Sequence, residues 1–410
     1  MLHDPTRHEA LQPTAWDEER VRATIEHIVR DAEAQCRPDG TWRLHPRDVE
    51  PGDDPDLPAI GLYYGACGVM WALHHLQATG AVTVSRNWLA DAAELERLLQ
   101  RNHACLKAFD DEDEVASWLM GDTPLLMLAH GHRPSAALAD RLAVLIEGNI
   151  DHPARELMWG APGSLLAALF LHQHTGDERW AVLFRAIAAR LWSQLVWSPE
   201  HACHHWVQDL YGRHSSYLDA VHGFVATASP LIRGSHLLGT EAWAAWQACI
   251  ANTVERSATW EDGMVSWRDQ LDMPAGYAWK KLMQFCHGAP GFVVCLGDFP
   301  GPALDTLLLA AGEAIWAAGP LAKGSNLCHG TGGNGYAFLK LHKRTGDPLW
   351  MARARAFAMH AIAQTEAEAQ RHGRMRHSLW TGDIGFAIYL WDCVRGTADF
   401  PTLDVFYAGR

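Results

Sequence analysis

Apolar residues in long stretches of this chain recur at i, i+3, i+4 and i+7, the spacing that gathers them on one face of an α-helix. Residues 179–195 (RWAVLFRAIAARLWSQL) and 303–317 (ALDTLLLAAGEAIWA) show it most clearly, and residues 16–36 predict a helix near the N-terminus. Strand-like alternation is scarce, and short β pieces are expected only near residues 203–207 and Met264–Trp267. The pattern predicts an all-α chain.

A second kind of segment recurs between the amphipathic stretches: a glycine in a small-residue motif, usually followed by an apolar helical run. The instances are YGACG at 64–68, MGD at 120–122, WGAPG at 159–163, HG at 222–223, CHGAPG at 286–291, CHGTGG at 328–333 and WTGDIG at 380–385. Their first glycines are Gly65, Gly121, Gly160, Gly223, Gly288, Gly330 and Gly382, in steps of 39 to 65 residues. Such a step holds two helices and their loops, and its recurrence is the sign of a repeat architecture. The expected fold is an α/α toroid, a double ring of helical hairpins whose inner helices start at the seven glycine motifs. Glycine lets backbones approach closely, and the unpaired N–H groups of each first turn then face a central cavity. For motifs without polar groups, a tight turn alone is the plainer account. Only residues 51–58 (PGDDPDLP) look like a linker, so the expected division is an N-terminal helical segment, 1–50, and one toroid domain, 51–410. The acidic run at 110–114 reads as a solvated loop or a first helical turn.

Composition narrows the function. With 48% hydrophobic and 20% charged residues among 410, the chain can bury a large core. It carries 34 Lys and Arg against 48 Asp and Glu, a net charge of −14. That balance opposes nucleic-acid binding, which needs a basic footprint, and docking on an anionic membrane. No apolar run reaches the ~20 residues of a membrane span. The start, MLHDPTRHEA, has no apolar leader core, so no secretion signal is expected and a cytoplasmic location is. Nine Cys, spread from Cys36 to Cys393, read as reduced thiols, some of them available to a metal.

Two motifs supply the candidate chemistry: Cys286-His287-Gly288 and Cys328-His329-Gly330. Thiolate and imidazole are zinc's preferred protein ligands. Four ligands would make a closed structural site; three would leave an open, catalytic position. Neighbouring side chains on a helix diverge by about 100°. Two such two-residue bites would crowd one ion, which favours three ligands. His287 reads better as a packing or hydrogen-bonding residue than as a ligand.

The glycine motifs with their Cys-His-Gly pair resemble the lanthionine synthetase C-like family, the lanthipeptide cyclases and their eukaryotic relatives. FCHGAPG at 285–291 and LCHGTGGNGYAF at 327–338 carry the resemblance most strongly. YLDAVHG at 217–223, ELMWGAPG at 156–163 and SLWTGDIG at 378–385 extend it over residues 63–392. It implies a toroid with Zn2+ in the central cavity, held by Cys286, Cys328 and His329, with His287 outside the ligand set. It also implies a thiol substrate, glutathione or a peptide cysteine, that adds to dehydroalanine or dehydrobutyrine in a dehydrated or phosphorylated peptide or protein. Metal coordination lowers a thiol's pKa, and protonation at Cα calls for an acid. The resemblance puts His222 in the acid or base role and Glu156 where it would orient His222; capping a helix start is the plainer role for Glu156. Lys323 stands where the eukaryotic relatives have a lysine that helps bind glutathione. Lys281, Arg374 and Arg376 are further cations near the motifs. In an acidic protein, cations gathered near a metal suit a carboxylate-rich or phosphorylated substrate. They tilt the expectation toward glutathione addition over ring closure.

Some positions depart from the family pattern. Phe285 stands where many members have Trp, and Ala226 where Gly is usual. The Arg that cyclases often carry ahead of the first Cys ligand is replaced by Leu282, with Lys280 and Lys281 nearby. No segment resembles a dehydratase domain, so the bifunctional type is not expected. Two other classes stay open. A carbohydrate-active α/α toroid would suit the 19 Trp, although no pair of acids stands out. A non-catalytic scaffold would keep a closed Cys₂His₂ zinc that includes His287.

Overall fold

The computed structural model describes residues 1–49, 56, 58–106, 115–272, 276 and 278–407. Most of the expected linker at 51–58, and all of the acidic run at 110–114, lie outside the described residues.

In chain order the helices begin with α1 (Glu18–Ala34), α2 (Ala66–Ala78), α3 (Ala92–Leu106), α4 (Thr123–His132) and α5 (Ala136–Gly148). Then come α6 (Ala161–Thr175) and α7 (Glu178–Ser193), followed by two antiparallel hairpins, β1–β2 (Val196–Ser198, Cys203–His205) and β3–β4 (Gln208–Leu210, Arg213–Ser215). Helices α8 (Phe224–Arg233) and α9 (Thr240–Arg256) lead to a third hairpin, β5–β6 (Ala258–Glu261, Met264–Trp267). The chain ends with α10 (Ala289–Leu296), α11 (Asp305–Ala318), α12 (Thr331–Thr345), α13 (Pro348–His372) and α14 (Asp383–Arg395).

Two classes of helix follow from the two sequence patterns. Helix α1 buries one stripe, Val21, Ile25, Ile28, Val29 and Ala32, and α7 does the same with Trp180, Phe184, Ile187 and Leu191. Helix α6, in contrast, is buried without interruption from Ala161 to Leu171. A helix apolar all round must lie inside the molecule. The inner set is α2, α4, α6, α8, α10, α12 and α14; each helix packs on the next, and α14 packs on α2 to close the ring. Six of the seven use a motif glycine as N-cap, and α4 starts after Gly121-Asp122. Outer helices cover them pairwise, for example α7 on α6, α13 on α12 and α1 on α14.

The turns ahead of the inner helices join edge to edge. Tyr63 N–H donates to Leu119 O (2.9 Å), Leu119 N–H to Met158 O (3.3 Å) and Leu157 N–H to Val221 O (3.1 Å). On the other side Cys286 N–H donates to Cys328 O (3.0 Å), Cys328 N–H to Trp380 O (2.9 Å) and Trp380 N–H to Tyr63 O (3.0 Å). Between the Val221 and Cys286 turns the link is a side-chain pair, Asp219 with His287. Such a belt requires close backbones. A Cβ on Gly333 would lie 1.9 Å from Leu327 O, and one on Gly288 2.1 Å from Leu282 O. Gly288 also has φ +104°, a conformation that side chains resist. Gly288→Ala is therefore expected to cost about 1–3 kcal/mol. A urea midpoint that falls at unchanged slope checks this; an unmoved midpoint would refute it.

The C-terminal segment, residues 400–407, plugs the ring. Phe400 stacks on Phe285 (4.3 Å between rings), the residue next to Cys286, and Phe406 sits among Trp71, Trp118 and Phe170. Trp71 Nε1 donates to Phe406 O (2.7 Å). The buried Lys340 Nζ pairs with Asp404 (2.8 Å) and Asp298 (3.1 Å), and Arg233 also pairs with Asp404 (2.9 Å).

Helix ends differ from the periodicity by one or two residues because side chains set them: Asp17 and Asp177 cap α1 and α7. The expected β pieces appear as β2 and β6. Hairpin β3–β4 was not anticipated, since three-residue strands are too short to show alternation. Its turn, Tyr211-Gly212 (φ +54° and +72°), and the β5–β6 turn, Asp262-Gly263 (φ +52° and +77°), are left-handed pairs of the kind that reverse a hairpin. Among the described residues no helix is long and apolar enough to cross a membrane.

Candidate metal centre

The belt explains why residues from distant motifs meet. The Cys286 N–H to Cys328 O bond sets two consecutive turns side by side. Ligand-capable atoms of Cys286, Cys328 and His329 then lie within 4.8 Å of one another, the two thiols buried and the imidazole partly exposed. Asn326 Oδ1 accepts from His329 N–H (3.0 Å) and fixes that turn. Two sulfurs and an imidazole at this separation fit a zinc ion.

The two sulfurs are not equivalent. Cys328 is held below the usual thiol range, first by Cys286, then, against burial, by Tyr63, whose hydroxyl donates to its Sγ (3.0 Å), and by Lys323. Cys286 is pushed up by its bond to Cys328 and by burial. Gln284 Nε2 donates to Cys286 Sγ (3.0 Å). Of the two, Cys328 is thus the sulfur that gives up its proton more readily, and each sulfur has a neighbouring donor.

His287 points to another partner. Its Nδ1 lies 2.8 Å from Oδ2 of the buried Asp219. Burial works to lower its pKa, but Asp219 outweighs burial and raises it to about 9.

A second acid–imidazole pair faces the same region. Glu156, fully buried, accepts from Met158 N–H (3.0 Å), Trp159 N–H (2.5 Å) and His222 Nδ1 (2.7 Å). It therefore caps its turn and orients His222 at once. A carboxylate only accepts, so the His222 proton in this bond sits on Nδ1 and Nε2 is the remaining ring nitrogen. Burial works against the His222 cation, yet the hydrogen bond and charge of Glu156, then Asp219 and Cys286, raise its pKa to about 9. The Tyr217 ring neighbours both imidazoles, 5.7 Å from His222 and 6.4 Å from His287 between centroids.

The four anticipated cations do not form one ring. Lys323, Arg374 and Arg376 line one pocket with His45, Arg47 and Asp383. Arg376 is ion-paired there, its Nε donating to Asp48 Oδ2 (2.7 Å), and Arg374 donates to Leu44 O. Lys281 lies outside this pocket, its Nζ 6.0 Å from the Trp279 ring and its charge felt by Glu261 on β5.

A family model of lanthionine synthetase C-like proteins matches residues 23–405. The chain belongs to the lanthionine synthetase C-like family. It is 26% identical over 378 residues to glutathione S-transferase LANCL1 of Danio rerio, covering 84% of each chain. It is 29% identical over 219 residues to LanC-like protein GCL1 of Arabidopsis thaliana, covering 50% of this chain and 46% of that one. Among solved structures, nisin cyclase superposes with a TM-score of 0.61 at 14% identity, covering 96% of this chain and 100% of the other, a likeness of fold.

In this lanthionine synthetase C-like chain, sequence reasoning missed Tyr63, Asp219, Gln284 and Asn326. The repeat register held the signal. Glu156, Asp219, Gln284 and Asn326 each stand four residues before a motif glycine, and Tyr63 stands two before Gly65, as Cys286 and Cys328 do before theirs.

Proposed function

We propose that this chain is a zinc-dependent thiol-addition enzyme. It joins glutathione or a peptide cysteine to dehydroalanine or dehydrobutyrine in a peptide or protein, and a cytoplasmic setting suits the free thiols this needs. The observation that carries the reading is the convergence of Cys286, Cys328 and His329 beside the Glu156–His222 pair. In this reading the seven glycine motifs are one repeated unit. The toroid takes its outer helix α1 from the 1–50 segment, which also lends His45, Arg47 and Asp48 to the pocket region beside Lys323 and Arg376.

Zinc held by Cys286, Cys328 and His329 would supply a Lewis acid that lowers the pKa of a substrate thiol at an open position. The chain's own groups do the rest. Tyr63 and Gln284 hydrogen-bond the two sulfurs and fix their orientation. When the substrate sulfur bonds to Cβ, the Cα=Cβ electron pair moves onto Cα and the adjoining carbonyl. His222 donates its proton to Cα, and the proton lost by the thiol restores it. Glu156 keeps His222 protonated and oriented. Lys323 and Arg374 receive the carboxylates of the thiol substrate, which favours glutathione over an internal cysteine.

The test is incubation with glutathione and a dehydroalanine peptide, read by mass spectrometry. One glutathione added per dehydroalanine is expected. Lys323→Ala should raise KM for glutathione about 10-fold at unchanged kcat, the loss of one charge-assisted bond. Ring closure on a dehydrated cysteine-containing peptide without any glutathione adduct would favour the cyclase reading. Neither product would refute thiol addition.

A further inference from the structure

A second group of metal-ligating side chains lies on the β1–β2 hairpin and after β6, and shares no residue with the central site. Ligand-capable atoms of Glu200, His201 and Asp272 lie within 4.8 Å of one another. His201 Nε2 is 3.4 Å from one Asp272 oxygen, and His205 Nε2 is 3.6 Å from the other. We propose that Glu200, His201, His205 and Asp272 form a second zinc site, a closed nitrogen–oxygen one that fastens the β1–β2 hairpin to the segment following β6.

Several observations favour a cation there. Both imidazole–carboxylate distances exceed those of N–H···O hydrogen bonds, so the groups face one another without protons joining them well. His205 has a side chain only 6% exposed, and its Nδ1 has no hydrogen-bond partner among the described residues. Nε2 is the nitrogen that faces Asp272, so ligation there would leave Nδ1 as the protonated ring nitrogen.

Both sides of the cluster are anchored. Thr253 and Asn252 on α9 donate to His204 O (2.8 Å) and Ala202 O (3.0 Å), and Ser198 Oγ accepts from His201 N–H (3.3 Å). Opposite, Asp272 N–H donates to Ser216 Oγ (2.8 Å). Glu200, His201 and Asp272 are a preformed triad, and His205, its Nε2 3.6 Å from Asp272, is the fourth ligand of the proposed site. Two imidazoles with carboxylates select zinc over calcium or magnesium, which take oxygen ligands. Four protein ligands leave no open position, so the role is structural.

Equilibrium dialysis of the full chain against micromolar zinc, followed by metal analysis, tests the proposal. Wild type should hold about two zinc ions, and His201→Ala/Asp272→Asn about one. The Cys286→Ala/Cys328→Ala variant should also hold about one and lose it when His201→Ala is added. Both His201 and Asp272 have exposed side-chain surface, so their variants should fold, and circular dichroism verifies this. Saturation of wild type at one ion, or two ions kept by His201→Ala/Asp272→Asn, would overturn the second site and leave the central one untouched.

Discussion

Replacing His222 with asparagine is expected to slow thiol addition by about 10²- to 10⁴-fold, the contribution of a positioned proton donor. Asparagine keeps a donor toward Glu156 but cannot give up a proton, so fold and metal content should be unchanged. The pH profile gives a second readout. The raised pKa of His222, about 9, means that its acid form is present below that pH and disappears above it. The wild-type rate should fall as pH rises through about 9. In Glu156→Gln the carboxylate charge that stabilises the cation is gone, and the descending limb should move to lower pH. Single-turnover rates across pH, with metal analysis in parallel, check both. His222→Asn at the wild-type rate, or a limb unmoved by Glu156→Gln, would refute the assignment.

Lys340→Met should destabilise the fold by about 3 kcal/mol, the lower end of the cost of breaking a buried ion pair. Lys340 is fully buried, and its cation is sustained against burial by Asp404 and then Asp298. Removing it leaves Asp404, within the plug, and Asp298 without their buried cation, although Asp404 keeps Arg233 and Asp298 keeps Lys343. The pairing also has a pH signature. Burial works to raise the pKa of Asp298, but Lys340 and then Lys343 hold it well below the ordinary carboxylate value. That stabilisation is complete above the unfolded value of about 4 and is lost as pH falls through the lower folded one. Urea melts at neutral and acid pH test this. Lys340→Met should have the lower midpoint at pH 7 and a shallower loss of stability on acidification. Equal midpoints at pH 7 would show that the plug does not rest on this pair.

Helix placement was legible because it depends on local periodicity: the one-sided stripe of α7 and the uninterrupted apolar run of α6 predict outside and inside directly. That the two Cys-His-Gly motifs share one space was legible from their equivalent repeat positions, whereas the choice of Cys286, Cys328 and His329 among their four side chains was implied by the family resemblance. Partners chosen across long sequence distances were not legible. Nothing near Arg376 in the chain announces Asp48, 328 residues away, which spends its charge on an ion pair. Lys281 and Lys323 both stand five residues before the Cys of a Cys-His-Gly motif, yet only Lys323 lines the pocket with the arginines. The two turns leave in different directions, Lys281 through a left-handed residue of φ +49°. Asp219 hid because its pairing with His287 exists only once the Val221 and Cys286 turns lie side by side.

The central claim is a three-ligand metal site, and metal content after dialysis into metal-free buffer tests it most directly. Wild type and His287→Ala should each keep the central zinc ion, while Cys286→Ala, Cys328→Ala and His329→Ala should each hold one zinc ion fewer per chain than wild type. A zinc-free wild type, or loss of the ion in His287→Ala with its fold intact, would contradict the account.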